Sequence, residues 1–385
     1  MTKKQHNLVN WIEGMPLKKV YMEQLEDHFI DAICDSLYVR MNKNNYGLLP
    51  APDRQIDSSE FDISERVTGQ VEIKLRRCNA LTAGGYRINY NPPASEFILY
   101  THSFNEEKEK NITSQAESWD IIISADPYTR IPNGTPNEEA NPPHQPDKVG
   151  SLKLSVLPKG EVDPDRLGLY HLVIGRIRYQ GTRHEVDTNF IPPCTIMGSH
   201  HELIRYYEQF GGFLNDIERA SKLILSKVRN RSQNSPIAGH MASLCEDIMR
   251  YIASIYYSYR NDGLDNTPSK VVNYFSTLAH ICYSNLNFIS KTDKEELLKY
   301  FYEWSDVTPG SFDELLVNTL SVIYEHNNIR AVMLQVNAFL RIMSELWLKL
   351  STLEYIGQHK ENIVVSERSY QSEQPKRKGG WSVID

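Results

Sequence analysis

The stretch "FIPPCTIMGSHHEL", residues 190–203, gathers Cys194, His200, His201 and Glu202, residue types that ligate zinc. The spacing does not support the metal. A ligand pair on one helix face is i,i+4, and on one strand face i,i+2, whereas adjacent histidines diverge by about 100° on a helix and point opposite ways when extended. No HExxH occurs and no second Cys/His pair has finger spacing. The competing reading is a structural joint. Pro192 and Pro193 end a strand, and Ser199 with Glu202 forms the S-x-x-E pattern of a capping box at the start of a long helix. On that reading His200 and His201 lie in the first helical turn and face solvent.

Other candidate chemistry is sparser. "TAGGYRIN" (82–89) has two glycines but neither a Walker lysine nor GxGxxG, and reads as a turn between strands. "EQLEDH" (23–28) combines acids and a histidine without a partner motif, the pattern of a solvated helix face. No GxSxG motif is present. Neither catalytic residues nor a cofactor is expected, and an enzyme is disfavoured.

The elements that position these residues change character near residue 190. Before it run short alternating segments: "QVEIKLRRC" (70–78), "EFILYT" (96–101), "WDIIISAD" (119–126), "SLKLSVL" (151–157) and "LYHLVIGRIRY" (169–179). In the first, Val71, Ile73 and Leu75 share a face opposite Glu72, Lys74 and Arg76, the period of a half-buried strand. A Pro- and Asn-rich loop is expected from Arg130 to Lys148. Strands at this spacing point to an antiparallel sandwich or barrel rather than a βαβ sheet. A helix precedes them over 17–41, with Leu17, Tyr21, Leu25, Phe29, Ile33 and Leu37 read as an apolar stripe on one side.

After residue 200 the pattern is helical. Leu203, Tyr207, Phe210, Leu214, Ile217, Ser221, Ile224 and Val228 step by alternating fours and threes, as do Val332, Val336, Phe339, Met343, Leu346, Leu350 and Leu353. Ser235-Pro236 and Thr267-Pro268 mark helix starts, Thr292–Glu295 and Ser311–Glu314 read as capping boxes, and Gly263 and Gly357 as stops. The expected class is α+β: an N-terminal segment and helix (1–45), an antiparallel β-sandwich (46–190), an antiparallel helical bundle (191–358) and a polar tail (359–385).

Composition bounds the partners. The 385 residues carry a formal charge of −7, against a nucleic-acid surface, and no apolar run spans a bilayer. The N-terminus lacks the apolar stretch of a secretory signal, and five scattered cysteines without CxxC spacing fit free thiols in a reducing cytoplasm.

Two segments resemble one family. "NWIEGMPL" (10–17) is similar to the N-terminal W-x-E-G-M-x-L signature of TssK, the baseplate subunit of type VI secretion machines, at Trp11, Glu13, Gly14, Met15 and Leu17. "NFIPPC" (189–194) resembles that family's F-I-P-P-C segment at Phe190, Ile191, Pro192, Pro193 and Cys194. The continuation "KKVYMEQ" departs from the family's Pro-Gln-His-Phe-like run. The resemblance implies a cytoplasmic homotrimer at the inner face of the inner membrane, without catalysis. Its β domain would be related to the shoulder of phage receptor-binding proteins and would grip wedge proteins of the TssF/TssG type. Its helical neck would extend toward a membrane complex, without inserting in the membrane. The short C-terminus implies a form without the family's head domain, as in Bacteroidetes-type systems. The alternatives are a receptor-binding or tail-like component of another contractile particle, or a metal-dependent hydrolase. Interface candidates are the N-terminal signature, the seam residues Leu203, Tyr207, Phe210, Leu214 and Ile217, and Trp381 in the tail beside Lys376–Lys378.

Overall fold

The computed structural model describes residues 5–52, 57–67, 69–104, 117–161, 167–181, 183–230, 235–305 and 307–360. They form helix α1 (Lys19–Tyr38) and nine strands: β1 (Gly47–Leu48), β2 (Ser59–Val67), β3 (Gln70–Leu81), β4 (Arg87–Tyr90), β5 (Ile98–Ser103), β6 (Ser118–Asn133), β7 (Asp147–Pro158), β8 (His171–Tyr179) and β9 (His184–Val186). Six further helices follow: α2 (His201–Asn230), α3 (Pro236–Asp262), α4 (Pro268–Phe288), α5 (Lys291–Ser305), α6 (Pro309–Leu320) and α7 (Ile329–Thr352). Mixed α and β structure with antiparallel sheets is thus present. Two compact units divide the chain within helices: residues 1–211, 255–276 and 321–338 form the first, and 212–254, 277–320 and 339–385 the second.

In the first unit, β3 is the centre of one sheet, with β2 along one side and β5, β4 and β1 meeting the rest of its length. Val71, Ile73 and Leu75 are buried as the alternation requires, but Cys78 and Ala80 are buried too, a change of parity. The pairing with β2 explains it: Glu60 faces Arg77 and Phe61 faces Leu75, so one extra residue bulges at Arg76 and turns the following even positions inward. The second sheet runs β7-β6-β8-β9, antiparallel throughout. Residues 130–133 and 147–148, read from sequence as loop, pair as strand ends beyond a register shift between Asp126 and Arg130. The bulge absorbs Pro127, which has no N–H to give to a ladder. The sheets meet where Glu65 accepts the His184 N–H at 2.8 Å and Phe104 stacks on the His184 ring at 3.9 Å.

Helix α1 does not bury the expected stripe. Spacing of four advances 400° on a helix, 40° past a full turn, so residues 17 to 37 wind through about 200° and cannot share one side. Leu17 precedes the helix and is exposed, and Asp31 and Cys34 are the residues buried in α1. A polar face docks instead: Asp27 pairs with Arg130, Asp31 accepts from Tyr128, and Glu23 lies 3.5 Å from Lys148.

In the second unit, Ser221, the polar step in the α2 seam, is fully buried and accepts the indole N–H of Trp347 at 3.0 Å. Phe301 packs on Trp347 and Phe312. The buried face of α7 in this unit is broader than a coiled-coil seam, because Leu340 and Trp347 are buried beside Phe339 and Leu346. Three apolar residues in seven is the face of a helix in a globular core. Helix α7 is also long and apolar enough to cross a membrane, with half of that stretch buried in the chain.

Ser235 and Thr267 cap as expected, accepting from the N–H groups of Ala238 and Lys270 at 3.2 Å. The other two starts lie earlier than expected. Ser290 accepts from the Asp293 N–H at 3.1 Å and Thr308 from Ser311 at 3.3 Å, each three residues back, with Pro309 at the first helical position. Helix α7 ends at Thr352, short of Gly357. Gly263 follows α3 where any Cβ would lie 2.2 Å from the Tyr259 carbonyl oxygen, so only glycine fits.

Gly47 is under the tightest constraint. Its φ is +118°, and a Cβ would lie 2.1 Å from the Pro193 carbonyl oxygen. Gly47→Ala is expected to destabilise the first unit by ~2 kcal/mol or more, lowering the melting midpoint by about 5 °C. Calorimetry showing an unchanged midpoint would mean that the backbone there yields.

Candidate functional site

Residues 190–200 lie between the second sheet and α2, and they and the first turn of α2 belong to the first unit. Phe190 packs with Ile122 and Val173 and carries the Arg176 guanidinium 4.3 Å above its ring, itself paired with buried Asp120 at 2.7 Å. Ile191, Pro192, Pro193 and Cys194 are all buried. The prolines offer no N–H, so their carbonyls and the next amide supply the pairing. The Leu48 N–H donates to the Pro193 carbonyl at 2.8 Å, and both the Thr195 N–H and hydroxyl donate to the Leu48 carbonyl at 2.9 Å. Further on, the amides of Met197 and Gly198 donate to the carbonyls of Asn266 and Leu264. The joint is thereby stitched to β1 on one side and to the α3–α4 turn on the other.

The residues that suggested zinc separate into different tasks. Cys194 is fully buried, its thiol donating to the Pro192 carbonyl at 3.2 Å. Burial, with Asp57 adding to it, pushes that thiol well above its ordinary range, away from the thiolate a metal would need. Ser199 does not cap α2. It sits in a 3-10 turn (197–199), 3.3 Å from the Thr195 hydroxyl, and the extended residue before the helix is His200. The His200 Nδ1 accepts the Glu202 N–H at 3.2 Å, so an imidazole does the work expected of a serine. His200 does not face solvent either: burial, with His201 and Arg330 adding to it against Asp57 and Glu202, lowers its pKa to about 4. His201 does face solvent, and its N–H and Nδ1 both reach the Asp57 carboxylate, at 3.2 and 2.7 Å.

Asp57, His200 and His201 bring one ligand atom each within 4.8 Å of one another. The hydrogen bonds disfavour a cation there. Nδ1 of His200 holds its lone pair toward an amide N–H, which leaves the ring proton on Nε2, where a metal would have to bind. The positive end of α2 and the Arg330 guanidinium add repulsion. Glu202, rather than closing a capping box, accepts from Arg330 at 2.5 Å and Arg205 at 2.8 Å. Arg330 also reaches the Asn189 side chain at 3.3 Å. His326 ties in the same region, contacting the Tyr46 carbonyl at 2.7 Å and the Tyr324 hydroxyl at 2.9 Å.

Leu203, Phe210, Leu214 and Ile217 are buried within the chain. Tyr207 is half-buried and stacks on Tyr259, each hydroxyl donating to a backbone carbonyl beside the other. In the N-terminal signature, Trp11 meets the edge of Tyr21 at 6.1 Å, Glu13 and Leu17 are exposed, Met15 is half-buried, and Gly14 takes a φ of +78°. Sequence reading missed what holds this segment: the His6 N–H and Nδ1 lie 2.7 and 3.0 Å from the buried Asp31 carboxylate, and the His28 Nδ1 donates to the His6 carbonyl at 2.8 Å. Burial acts to raise the Asp31 pKa, but the bonds from Tyr128 and His6 outweigh it and hold the carboxyl low. A polar residue at an interior helix position was the available signal. Trp381 and Lys376–Lys378 lie outside the described residues.

His200 gives a testable pH dependence. Its folded pKa of about 4 lies below the unfolded value of ~6.5, so the unfolded chain binds the proton first as pH falls. Its contribution is complete above pH ~6.5 and is lost progressively toward pH ~4. His200→Asn, which keeps an acceptor but does not titrate, is expected to flatten the melting-temperature profile across that window. His200→Ala is expected to lose ~1 kcal/mol of capping at neutral pH. Parallel profiles for wild type and the Asn variant would refute the cap.

No protein-family model and no curated protein matches the chain in sequence. Among solved structures, a crystal structure of TssK matches with a TM-score of 0.53 at 14% identity, over 88% of this chain and 69% of that one. TssK from the type VI secretion system of EAEC, bound to a nanobody, gives 0.49 at 13% identity over 84% and 69%. A chain of the TssK-TssF-TssG baseplate subcomplex of a type VI secretion system gives 0.46 at 12% identity over 88% and 99%. At 0.53 over most of its length, the chain shares the fold of TssK.

Proposed function

We propose that this chain is a structural baseplate subunit of a type VI secretion machine, joining the baseplate wedge to a membrane-associated complex through interfaces rather than catalysis. The observation that carries the reading is a coincidence of position. In a chain with the TssK fold, the segment resembling the family's F-I-P-P-C motif is the joint between the second sheet and α2. Residues 46–190 then act as the sandwich-like shoulder, 191–358 as the bundled neck, and the tail from 359, with Trp381, as the arm toward a membrane-side partner. Wedge proteins of the TssF/TssG type are the partners, and the site of action is the cytoplasmic face of the inner membrane.

A non-catalytic role agrees with the chemistry of the described residues. All five cysteines are buried, and burial raises the thiols of Cys78 and Cys245 to about 12, unfit for nucleophilic attack. The residues that attracted a hydrolase reading have separate structural partners: Cys194 donates to the Pro192 carbonyl, His200 caps α2 and His201 pairs with Asp57.

Homotrimerisation is part of the proposal. Because Leu214 and Ile217 already lie in the core of one chain, aspartate at both positions is expected to unfold it rather than merely dissociate copies. Light scattering of the wild type is expected to give three times 44.4 kDa. Co-expression with TssF- and TssG-type wedge proteins is expected to yield one stable complex. A monomer that co-purifies with neither would overturn the reading.

A further inference from the structure

After α7 the chain turns back over the second unit. Leu353 and Ile356 are buried, and the residues that follow run along α5 in its own direction. The Gly357 N–H donates to the Tyr300 hydroxyl at 3.1 Å, the His359 Nδ1 lies 2.9 Å from the Glu303 carboxylate, and the Lys360 ammonium sits 5.7 Å from the centre of the Trp304 ring. Positions 357, 359 and 360 thus meet 300, 303 and 304 in order, each step nearer the end of α5 at Ser305. Lys360 brings a cation to the carbonyl end of that helix, where one is favoured.

At this point lies a groove of about 330 Å³. Trp304, Ser305 and Val307 line one side, Ile342, Glu345 and Lys349 of α7 the other, and Lys360 is part of its wall. On the order of ten water volumes, it has room for two branched aliphatic side chains. Trp304, Val307 and Ile342 offer it apolar surface, and the buried indole N–H of Trp304 has no acceptor among the described residues. A buried donor left so is costly, which calls for a group from outside those residues.

We infer that the segment 361–365, Glu-Asn-Ile-Val-Val, seats in this groove. Covalent continuity selects it, because Lys360 already stands in the groove wall. The other apolar residues of the tail, Trp381, Val383 and Ile384, follow some twenty positions later. A tether of about twenty residues lowers effective concentration roughly tenfold relative to one of four. The backbone is helical at Lys360, which sets Ile363 and Val364, three and four residues on, on the face that Lys360 turns to Trp304. Glu361 and Asn362 bring acceptors for the indole N–H. The helical half then closes with a strap across α5 and α7, and the arm of the proposed function starts near residue 366 instead of 359. The inference does not depend on the secretion reading, and either can fail alone.

Hydrogen exchange of the full chain, followed by mass spectrometry, tests the strap. Amides at 361–365 are expected to exchange at least tenfold more slowly than an unprotected chain. Ile363→Asp with Val364→Asp is expected to abolish that protection and to speed exchange at 299–305 at least tenfold, leaving 203–217 unchanged. Val383→Asp with Ile384→Asp is expected to alter neither segment. Since all five native cysteines are buried, Ile342→Cys with Val364→Cys is expected to close a disulfide under mild oxidation, and Ile342→Cys with Val383→Cys is not. Unprotected exchange at 361–365 in the wild type would overturn the strap. Faster exchange at 299–305 in the 383–384 variant alone would give the groove to the distal residues and overturn the choice of segment.

Discussion

The two prolines at 192–193 constrain everything around them. They remove two amide donors from a buried segment, and the chain must satisfy the remaining carbonyls and the following amide with geometry that a regular sheet cannot supply. Leu48 does so almost alone: its amide serves Pro193, and its carbonyl takes both donors of Thr195. Gly47 exists in its left-handed conformation so that this two-residue strand can lie against the proline backbone. From that clasp, β1 enters the first sheet through β3, and the 197–198 amides engage the turn after α3. A sequence-distant strand of two residues thereby fixes where the sheets stop and where α2 begins.

A second theme is polar chemistry used for position rather than reaction. His200 caps α2, Glu202 gathers two arginines, and Asp31 is saturated by His6 and Tyr128. Each is a buried or half-buried polar group satisfied by neighbours or by partners distant in sequence, such as Arg330 for Glu202 and Tyr128 for Asp31, an arrangement that fixes a unique geometry. The same use of polar contacts acts at α1, where a polar inner face leaves Met22, Phe29 and Ile33 exposed. An amphipathic helix normally hides its apolar face, and here the ion pairs to β6 and β7 reverse that.

The sequence made the strands and long helices legible because their periods are strong. Val71–Ile73–Leu75 alternates, and the α2 and α7 faces repeat over several turns. Boundaries were less legible where a second residue could perform the same task. Ser290 and Thr308 cap in place of Thr292 and Ser311, and His200 in place of Ser199, since a cap is chosen by backbone conformation that the one-dimensional pattern does not reveal. The α1 face was misread because equal spacing of four was taken for a straight stripe. The network at Asp31 and the clasp at Leu48 were invisible for a different reason: their partners lie 25 to 147 positions away, and no local period reports such contacts.

The central proposal is a baseplate adaptor acting through interfaces, with the proline joint serving the fold of the first unit rather than a partner. A cryo-electron microscopy structure of the chain mixed with TssF- and TssG-type wedge proteins tests it most directly. The expected map shows a complex in which the Leu48–Pro193–Thr195 clasp and the His200 cap are unchanged. Particles without wedge density, or a map in which wedge residues enter the joint at 190–200, would contradict it.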